Sequence, residues 1–187
     1  SGNESRAYPY VWTSTTDRYE LDGVRVMQVS ESNNVDTFGT RVRRQVTRLE
    51  LAKGATPGAQ HVEVTTLGGV VNDTQNWCLG RPATTQVSRQ HNLPTGAQVV
   101  RNFAHSWDLA KCRATQGVVE PASATLRVTT DYAYDSYGNV ASVSVTPIEK
   151  PVRISSQDWT ADGRFPASST NPEGHVTRTT WDPVLAR

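Results

Sequence analysis

The clearest pattern along the chain is an alternation of side-chain character between residues 124 and 135. A period of two over this length predicts a β-strand with one face in a core and the other in water. One face carries Leu126, Val128, Thr130, Tyr132 and Tyr134. The other face carries Thr125, Arg127, Thr129, Asp131, Ala133 and Asp135.

A second alternating run, from Val140 to Val145, follows the tetrapeptide Asp135-Ser136-Tyr137-Gly138. Aspartate at the first position and glycine at the fourth suit a type I turn, because glycine adopts a positive φ without steric cost. Strand, turn and strand together predict a β-hairpin.

Further strands are predicted in the first half of the chain. Apolar residues alternate on both sides of Asp22-Gly23, a dipeptide favoured in two-residue hairpin turns. Arg41–Leu49 and His61–Leu67 are strand candidates, separated by a Gly- and Pro-rich stretch at 53–58. Because valines and arginines share one face of Arg41–Leu49, we interpret it as an edge or exposed strand. The only candidate for a helical turn is the span 107–111.

The composition favours the same fold class. Valine and threonine occur 23 times each, against 9 leucines and 2 isoleucines, and β-branched side chains fit a pleated sheet better than a helix. Val, Leu, Ile and Phe together make up just under a fifth of the 187 residues, which is close to the composition of disordered chains. The net charge of only +1 argues against disorder. We therefore predict an all-β protein with a thin core.

Charge and hydropathy exclude several function classes. No apolar run approaches the roughly 18 residues of a membrane helix, so no membrane span is expected. The 16 arginines and 3 lysines are balanced by 18 acidic residues and form no dominant cluster, so nucleic acid is not an expected partner. No charged-then-apolar leader opens the chain, and we expect a mature or excised segment.

An internal repeat underlies the turns. Each copy has an aromatic or apolar residue, a polar residue and, three positions after the polar one, a glycine. After the last copy comes a related turn, Asn171–Gly174, and Trp181-Asp182 then begins what we interpret as another unit. Such repeats bury an apolar face only by stacking on one another. The copies are Val35-Asp36-Thr37-Phe38-Gly39, Tyr134-Asp135-Ser136-Tyr137-Gly138 and Trp159-Thr160-Ala161-Asp162-Gly163.

These residues resemble the Rhs, or YD-repeat, family of large secreted and surface proteins, whose consensus is Tyr-Asp-x-x-Gly and an apolar residue. Tyr134-Asp135 with Gly138 matches fully. Asp36 with Gly39 lacks the tyrosine, and Trp159 with Gly163 lacks the aspartate. The stretch from Gly163 through Gly174 to Trp181 is similar to the family's alternation of repeat units and turns. The segments 76–81 and 103–106 are similar to a recurrent element of bacterial members.

The resemblance implies an architecture. In that family, antiparallel hairpin repeats form a curved sheet that spirals into a hollow shell around a C-terminal toxin. Residues 35–187 would be a degenerate repeat region of such a shell, truncated at its C-terminal end, and residues 1–34 an N-terminal segment or capping hairpin. Asp135 would accept backbone hydrogen bonds in its own turn, and Tyr134 would pack on the neighbouring hairpin. These are structural roles, and no cofactor is implied.

The expected function follows from this architecture. The chain would be a non-catalytic shell segment of a protein that is secreted or at the bacterial cell surface. Its partners would be the neighbouring repeats of its own polypeptide and the enclosed toxin cargo. The family's self-cleaving carboxylate arrangement has no counterpart here, since Asp182-Pro183 is not followed by glycine, and no catalytic residue is carried over.

Two groups of residues leave alternatives open. Cys78 and Cys112 could form a disulfide or remain two part-buried thiols, and their spacing fits no metal motif. Exposed tryptophan and tyrosine side chains would suit a carbohydrate- or receptor-binding module. For Trp77, Trp159 and Trp181, packing between hairpins is the favoured role.

The histidines indicate no catalytic or metal motif. His61, His91, His105 and His175 are dispersed along the chain, without a His-x-His or His-Glu-x-x-His spacing. A metal site could form only if the fold brought some of them together. We expect strand-packed or surface histidines and no metal site.

Overall fold

The computed structural model describes residues 9–51, 57–91 and 95–182. This part of the chain forms β-strands and no helix, and the prediction of an all-β fold built from antiparallel hairpins is confirmed. The strands are β1 (Thr13–Tyr19), β2 (Arg25–Val35), β3 (Arg41–Leu51), β4 (Pro57–Gly68), β5 (Val71–Asp73), β6 (Cys78–Arg81), β7 (Thr84–Gln90), β8 (Gln98–Asp108), β9 (Arg113–Val119), β10 (Val128–Tyr134), β11 (Val140–Pro147), β12 (Arg153–Trp159), β13 (Pro166–Thr170) and β14 (Val176–Arg178).

The strands hydrogen-bond to one another in chain order. One sheet has the order β1-β2-β3-β4-β7-β8-β9-β10-β11-β12-β13-β14, and β5 and β6 form a separate two-stranded ribbon inserted between β4 and β7. The registers of β1 to β4 and of β9 to β14 are antiparallel throughout. Short turns join such strands, because an antiparallel pair needs no crossover.

The chain divides into two compact units. The first unit consists of Ser1–Phe103 and Leu109–Lys111, and the second of Ala104–Asp108 and Cys112–Arg187. The division between residues 34 and 35 that was expected from the sequence lies within β2, which pairs with β1 on one side and β3 on the other.

The strand β3 is internal, and its interpretation as an edge strand is wrong. It pairs with β2 and β4 over most of its length. The mixed face that suggested exposure carries Val46, which is only 3% exposed. Arg44 on the same face donates to the carboxylate of Glu31 on β2 at 2.6 Å. Its charge is therefore paired with a carboxylate, although the sequence pattern indicated that this face is exposed to solvent.

The predicted limits of the β10 strand and of the first hairpin turn were also wrong. β10 begins at Val128, and Leu126 lies in the preceding turn, 58% exposed. That turn forms because the hydroxyl of Ser123 accepts the backbone N–H of Leu126 at 2.9 Å. In the first hairpin Glu20 donates to the Val24 carbonyl and Gly23 to the Glu20 carbonyl, so the loop has three residues, Leu21 to Gly23, and not two.

Two other predicted segments also differ. The span 107–111 is the end of β8 and a non-helical turn, so the predicted helical turn is absent. Most of the breaker-rich stretch 53–58 lies outside the described residues, and Pro57-Gly58 begin β4.

The core is as thin as the composition predicts. Val46 and Cys78 are the buried hydrophobic residues of the described chain, and Asn33 is its buried polar residue. Hydrophobic burial therefore contributes less than in a typical domain of this length. Backbone ladders, turns and side-chain networks must supply more of the stability.

Candidate functional site

The repeat motif forms one recurrent turn, and it is the feature that unites the candidate residues. In each copy the fourth residue, a glycine with φ between 70° and 93°, donates its N–H to the carbonyl of the first residue at 2.7 to 3.2 Å. Only glycine adopts this φ without strain. The first and fourth residues are Glu20 and Gly23, Asp36 and Gly39, Asp135 and Gly138, Thr160 and Gly163, and Asn171 and Gly174.

The side chain of the first residue closes the turn from inside. Asp36 accepts the N–H groups of the residues two and four positions later at 2.9 and 2.8 Å. Asp135 accepts the equivalent pair at 2.9 Å each, and Asn171 does the same at 3.1 and 2.9 Å. An Asp or Asn side chain is the right length for these bonds. The expected role of Asp135 is therefore observed.

These hydrogen bonds also act on the carboxylates. Burial of Asp36 acts to raise its pKa, but hydrogen bonds from Asn72, Thr40 and Phe38 outweigh it, and the pKa is lowered. The pKa of Asp135 is likewise lowered, because the bonds from its turn exceed the effect of desolvation. Both groups are held as anions that accept hydrogen bonds, which is the opposite of what a general acid needs.

Two copies depart from the consensus and compensate locally. In the third copy the hydroxyl of Thr160 accepts the N–H of Phe165 at 3.1 Å and donates to Asp162. In the first hairpin Glu20 is too long for the inner position, and the Asp22 carboxylate accepts the N–H of Val24 at 3.1 Å.

Within the first unit, the Asp36 turn is bonded to the β5–β6 ribbon. Asn72 donates from Nδ2 to the second carboxylate oxygen of Asp36 at 3.0 Å and accepts the N–H of Gly80 at 2.8 Å. A Cβ at Gly80 would lie 2.8 Å from the hydroxyl of Thr40, so the two segments are in close contact. The turn is thus joined to a ribbon that follows it in the chain after β3 and β4.

Within the second unit, the Asp135 turn is bonded to the Gly163 turn in a similar way. The Tyr137 hydroxyl donates to the carbonyl of Ala161 at 2.9 Å, and Asn139 donates to the carbonyl of Gly163 at 2.8 Å. The ring of Tyr137 covers Gly163 so closely that a Cβ there would lie 2.6 Å from Cδ2 of Tyr137. Glycine is required at this position both for φ and for space.

The motif tyrosine and the first motif tryptophan contact neighbouring strands. Tyr134 on β10 donates its hydroxyl to the carbonyl of Ala114 on β9 at 2.6 Å, and the guanidinium of Arg113 lies 4.3 Å from its ring centre. The indole of Trp159 on β12 donates to the carbonyl of Val140 on β11 at 3.0 Å. The expected packing of Tyr134 on its neighbour is observed.

The other two tryptophans behave differently from each other. Trp181 stacks on Phe165 with ring centres 4.9 Å apart and donates to the carbonyl of Pro166 at 2.6 Å. Trp77, for which packing between hairpins was also favoured, is 66% exposed and has a φ of 54°. It follows the turn at Asp73, whose carboxylate accepts the N–H of Asn76 at 3.1 Å.

Both cysteines are disulfide-bonded. Cys78 and Cys112 are the only cysteines of the chain, and neither is a free thiol. Cys78 is fully buried. Of the two alternatives that the sequence left open, the structure contains the disulfide.

Sequence reasoning missed the residues that join one turn to the next. Tyr137 lies within the recognised motif and Asn139 directly after it, but the motif assigns no partner to either side chain. Asn72 lies 36 positions from its partner Asp36, so the sequence offers no local signal for it. An asparagine directly after the motif glycine was the one available signal.

A groove lies beside the first strands. It has a volume of about 410 Å³ and is lined by Tyr10, Val11, Glu31, Asn33, Val35, Gly39 and Arg41. Asn33 is 6% exposed, and its Oδ1 has no hydrogen-bond partner within the described structure. The rings of Tyr10 and Trp12 are exposed, with centres 6.1 Å apart. An aromatic surface beside polar groups is a chemistry that suits sugars.

Within residues 9–51, 57–91 and 95–182, no group of three or more His, Cys, Asp and Glu residues could hold a metal ion. The same part of the chain contains no helix that is long and apolar enough to cross a membrane. No protein-family model and no curated protein matches the sequence.

Proposed function

We propose that this chain is a non-catalytic structural segment of a secreted toxin or surface protein of the Rhs/YD-repeat type. It contributes to a β-shell that encloses a C-terminal toxin cargo. Its partners are the neighbouring repeats of its own polypeptide and that cargo. The proposal rests on one observation: Tyr137 and Asn139 of one repeat turn hydrogen-bond to Ala161 and Gly163 of the next.

This bonding supports a wall better than a catalytic site. A turn that satisfies its own backbone groups and then bonds the next turn can be repeated indefinitely, which is how stacked repeats gain stability. The carboxylates are used as hydrogen-bond acceptors, with lowered pKa values at Asp36 and Asp135. The disulfide-bonded state of both cysteines supports an oxidising destination such as the secretory route or cell surface.

The test is protection of the cargo in the natural full-length polypeptide. We expect flanking sequence with more turns of this kind and a C-terminal segment that protease cleaves slowly. Replacing both Tyr137 and Asn139 by alanine would loosen the wall and speed that cleavage several-fold, as mass spectrometry of the released segment would measure. Tyr19→Ala, which removes an exposed tyrosine from β1, is the matched control and would leave the rate unchanged. Equal rates in all three proteins, or flanks without the turn, would refute the proposal.

The groove beside β1 and β2 favours a second candidate function, a carbohydrate- or receptor-binding module. Tyr10 and Trp12 provide exposed rings, and Asn33 provides a buried amide at the groove wall. Aromatic rings stack on the apolar faces of sugars, and a few polar groups fix the orientation. A glycan array probed with the chain distinguishes the two functions, because a wall segment shows no saturable binding. Tyr10→Ala would abolish such binding, whereas Tyr19→Ala would preserve it.

A further inference from the structure

Two of the four dispersed histidines meet across neighbouring strands of the first unit. His61 lies on β4, and His91 directly follows β7. The register pairs Val62 with Gln90, so the next pair along the ladder is His61 and His91. Their Nδ1 atoms share a hydrogen bond of 2.8 Å, whose donor depends on the tautomer, and their ring centres are 4.8 Å apart with the planes at 64°.

The separation of the two Nδ1 atoms matches the bite of a chelating pair. Imidazole nitrogens bind first-row divalent metals at about 2.0 Å. Two such nitrogens at a right angle about the metal are about 2.8 Å apart, and at a tetrahedral angle about 3.3 Å. The observed pair therefore fits adjacent positions of a square-planar or octahedral metal, the geometry of Cu²⁺ and Ni²⁺.

A carboxylate lies near the second ring nitrogen of His61. The Nε2 atom of His61 lies 3.5 Å from Oε1 of Glu50 on β3. A carboxylate at the far nitrogen favours the tautomer with the proton on Nε2, which leaves the Nδ1 lone pair of His61 free for a metal. In that arrangement Nδ1 of His91 donates the hydrogen bond to His61, so a metal that binds both Nδ1 atoms displaces this proton, which moves to Nε2 of His91 or to solvent.

The surrounding charges are balanced. Arg48 lies opposite His61 in the β3–β4 register, and Arg89, two positions before His91, donates to Glu63 at 2.6 Å. Glu50 and Glu63 thus offset two arginines around the histidine pair. A cation that binds here meets no net repulsion from the adjacent side chains of β3, β4 and β7.

We propose that His61 and His91 chelate a divalent transition metal of tetragonal preference, Cu²⁺ or Ni²⁺, through their Nδ1 atoms, with water as the remaining ligands and Glu50 as the partner that orients His61. The metal would fasten β4 to β7 at the point where their ladder ends. This site is independent of the turn contacts that carry the proposed function.

The test is titration of the 187-residue chain with Ni²⁺ in a non-coordinating buffer, followed by calorimetry. We expect one equivalent to bind, and His61→Gln or His91→Gln to weaken binding at least tenfold. Glu50→Gln would weaken it about tenfold, since it orients a ligand and does not coordinate. His105→Gln and His175→Gln are matched controls and would bind as the unaltered chain does.

A second measurement uses the unaltered chain, so that poor folding of a variant does not decide the outcome. Substoichiometric Cu²⁺ would broaden the imidazole NMR signals of His61 and His91 before those of His105 and His175, and its electron paramagnetic resonance spectrum would show two coordinating nitrogens. Equal broadening of all four histidines, or Ni²⁺ binding that survives loss of both His61 and His91, would overturn the proposal.

Discussion

The two units hold neighbouring strands together by different side chains. In the first unit, charged groups pair on a strand face, where Glu31 bonds Arg44 and Glu63 bonds Arg89, each at 2.6 Å. In the second unit, aromatic side chains reach from one element to the next, and Trp159 donates to a neighbouring strand. With so few buried apolar residues in either unit, each sheet depends on polar bonds between successive strands.

The difference shows that one repeat motif tolerates two kinds of support. The turn itself is the same at Asp36 and Asp135. What it contacts is an asparagine of an inserted ribbon in one unit and the following turn in the other. The charged contacts of the first unit and the aromatic contacts of the second should respond differently to steric change, to pH and to salt.

The largest effect is expected at Gly163, on the aromatic side of the comparison. Gly163→Ala adds a Cβ where φ is 70° and where the ring of Tyr137 leaves no space, so we expect a loss of about 3 kcal/mol in the free energy of unfolding. Gly174→Ala is the matched control, since φ there is 81° but no atom lies within 4 Å of the added Cβ. It should lose only about 1 kcal/mol.

Urea denaturation followed by circular dichroism measures both variants. If the clash between the added Cβ and the Tyr137 ring causes the loss, Tyr137→Ala should lower the free energy of unfolding less in the Gly163→Ala background than in the original chain. Equal losses for Gly163→Ala and Gly174→Ala would contradict the close packing of Tyr137.

The next effect is expected at Glu31, on the charged side. The hydrogen bond from Arg44, followed by the bond from Asn33 and the nearby arginine charges, outweighs desolvation and lowers the pKa of Glu31 from 4.5 to about 2. Because the pKa is lowered on folding, the ionised carboxylate stabilises the fold above pH 4.5. That contribution is lost as the pH falls from about 4.5 to about 2.

Glu31→Gln should therefore cost about 1.5 kcal/mol at pH 7, a value reduced for solvent screening of a partly exposed pair. The cost should shrink as the pH falls through that range and in 1 M salt, whereas the cost of Gly163→Ala should not depend on salt. Chemical denaturation at several pH values and salt concentrations measures this, with exposed Glu20→Gln as the control. A cost that is independent of pH would exclude the ion pair as its source.

A smaller effect is expected at the shared turn. Asp36→Ala removes the hydrogen bonds that the carboxylate accepts from two backbone N–H groups and from Asn72 and should cost about 1 kcal/mol in the free energy of unfolding. Asp36→Asn should cost less, because Asn171 makes the equivalent pair of bonds with an amide. Thermal unfolding compares the two. If both substitutions cost the same, the charge and the bond from Asn72, and not the pair of bonds within the turn, would be what matters.

The smallest effect is expected for the hydroxyl of Tyr137. Tyr137→Phe loses one hydrogen bond to the carbonyl of Ala161 at an exposed site, with an expected cost of about 0.5 kcal/mol. Tyr134→Phe loses the bond to Ala114 at a half-buried site and should cost about twice as much. The ratio of the two, measured by denaturation under identical conditions, separates exposed from shielded tyrosine bonds. A larger loss of unfolding free energy for Tyr137→Phe than for Tyr134→Phe would contradict this difference between the exposed and the half-buried site.

The fold class and the turns could be predicted because they are encoded locally. Alternation fixed the period of β10 and β11, and an Asp or Asn three residues before a glycine specified the turn chemistry at Asp36, Asp135 and Asn171. The prediction failed where a distant partner changes the meaning of a residue. Arg44 indicated an exposed strand until Glu31, 13 positions earlier, was seen to pair with it.

The candidate site divides in the same way. The roles of Asp135 and Tyr134 follow from the motif, whereas the bonds of Asn72 and Asn139 to other turns depend on which hairpins lie side by side. His61 and His91 are 30 positions apart, and no spacing rule joins them. Only the register of β4 against β7 brings them together.

The order of the strands has a consequence for how the chain folds. Apart from the β5–β6 insertion, the described strands bond to partners that come directly before or after them in the chain, so each new pairing closes a loop of only a few residues. Short loops cost little entropy to close, and low contact order speeds folding. Such a chain can acquire its structure strand by strand as it emerges from a ribosome or a narrow export channel, without waiting for its last residues.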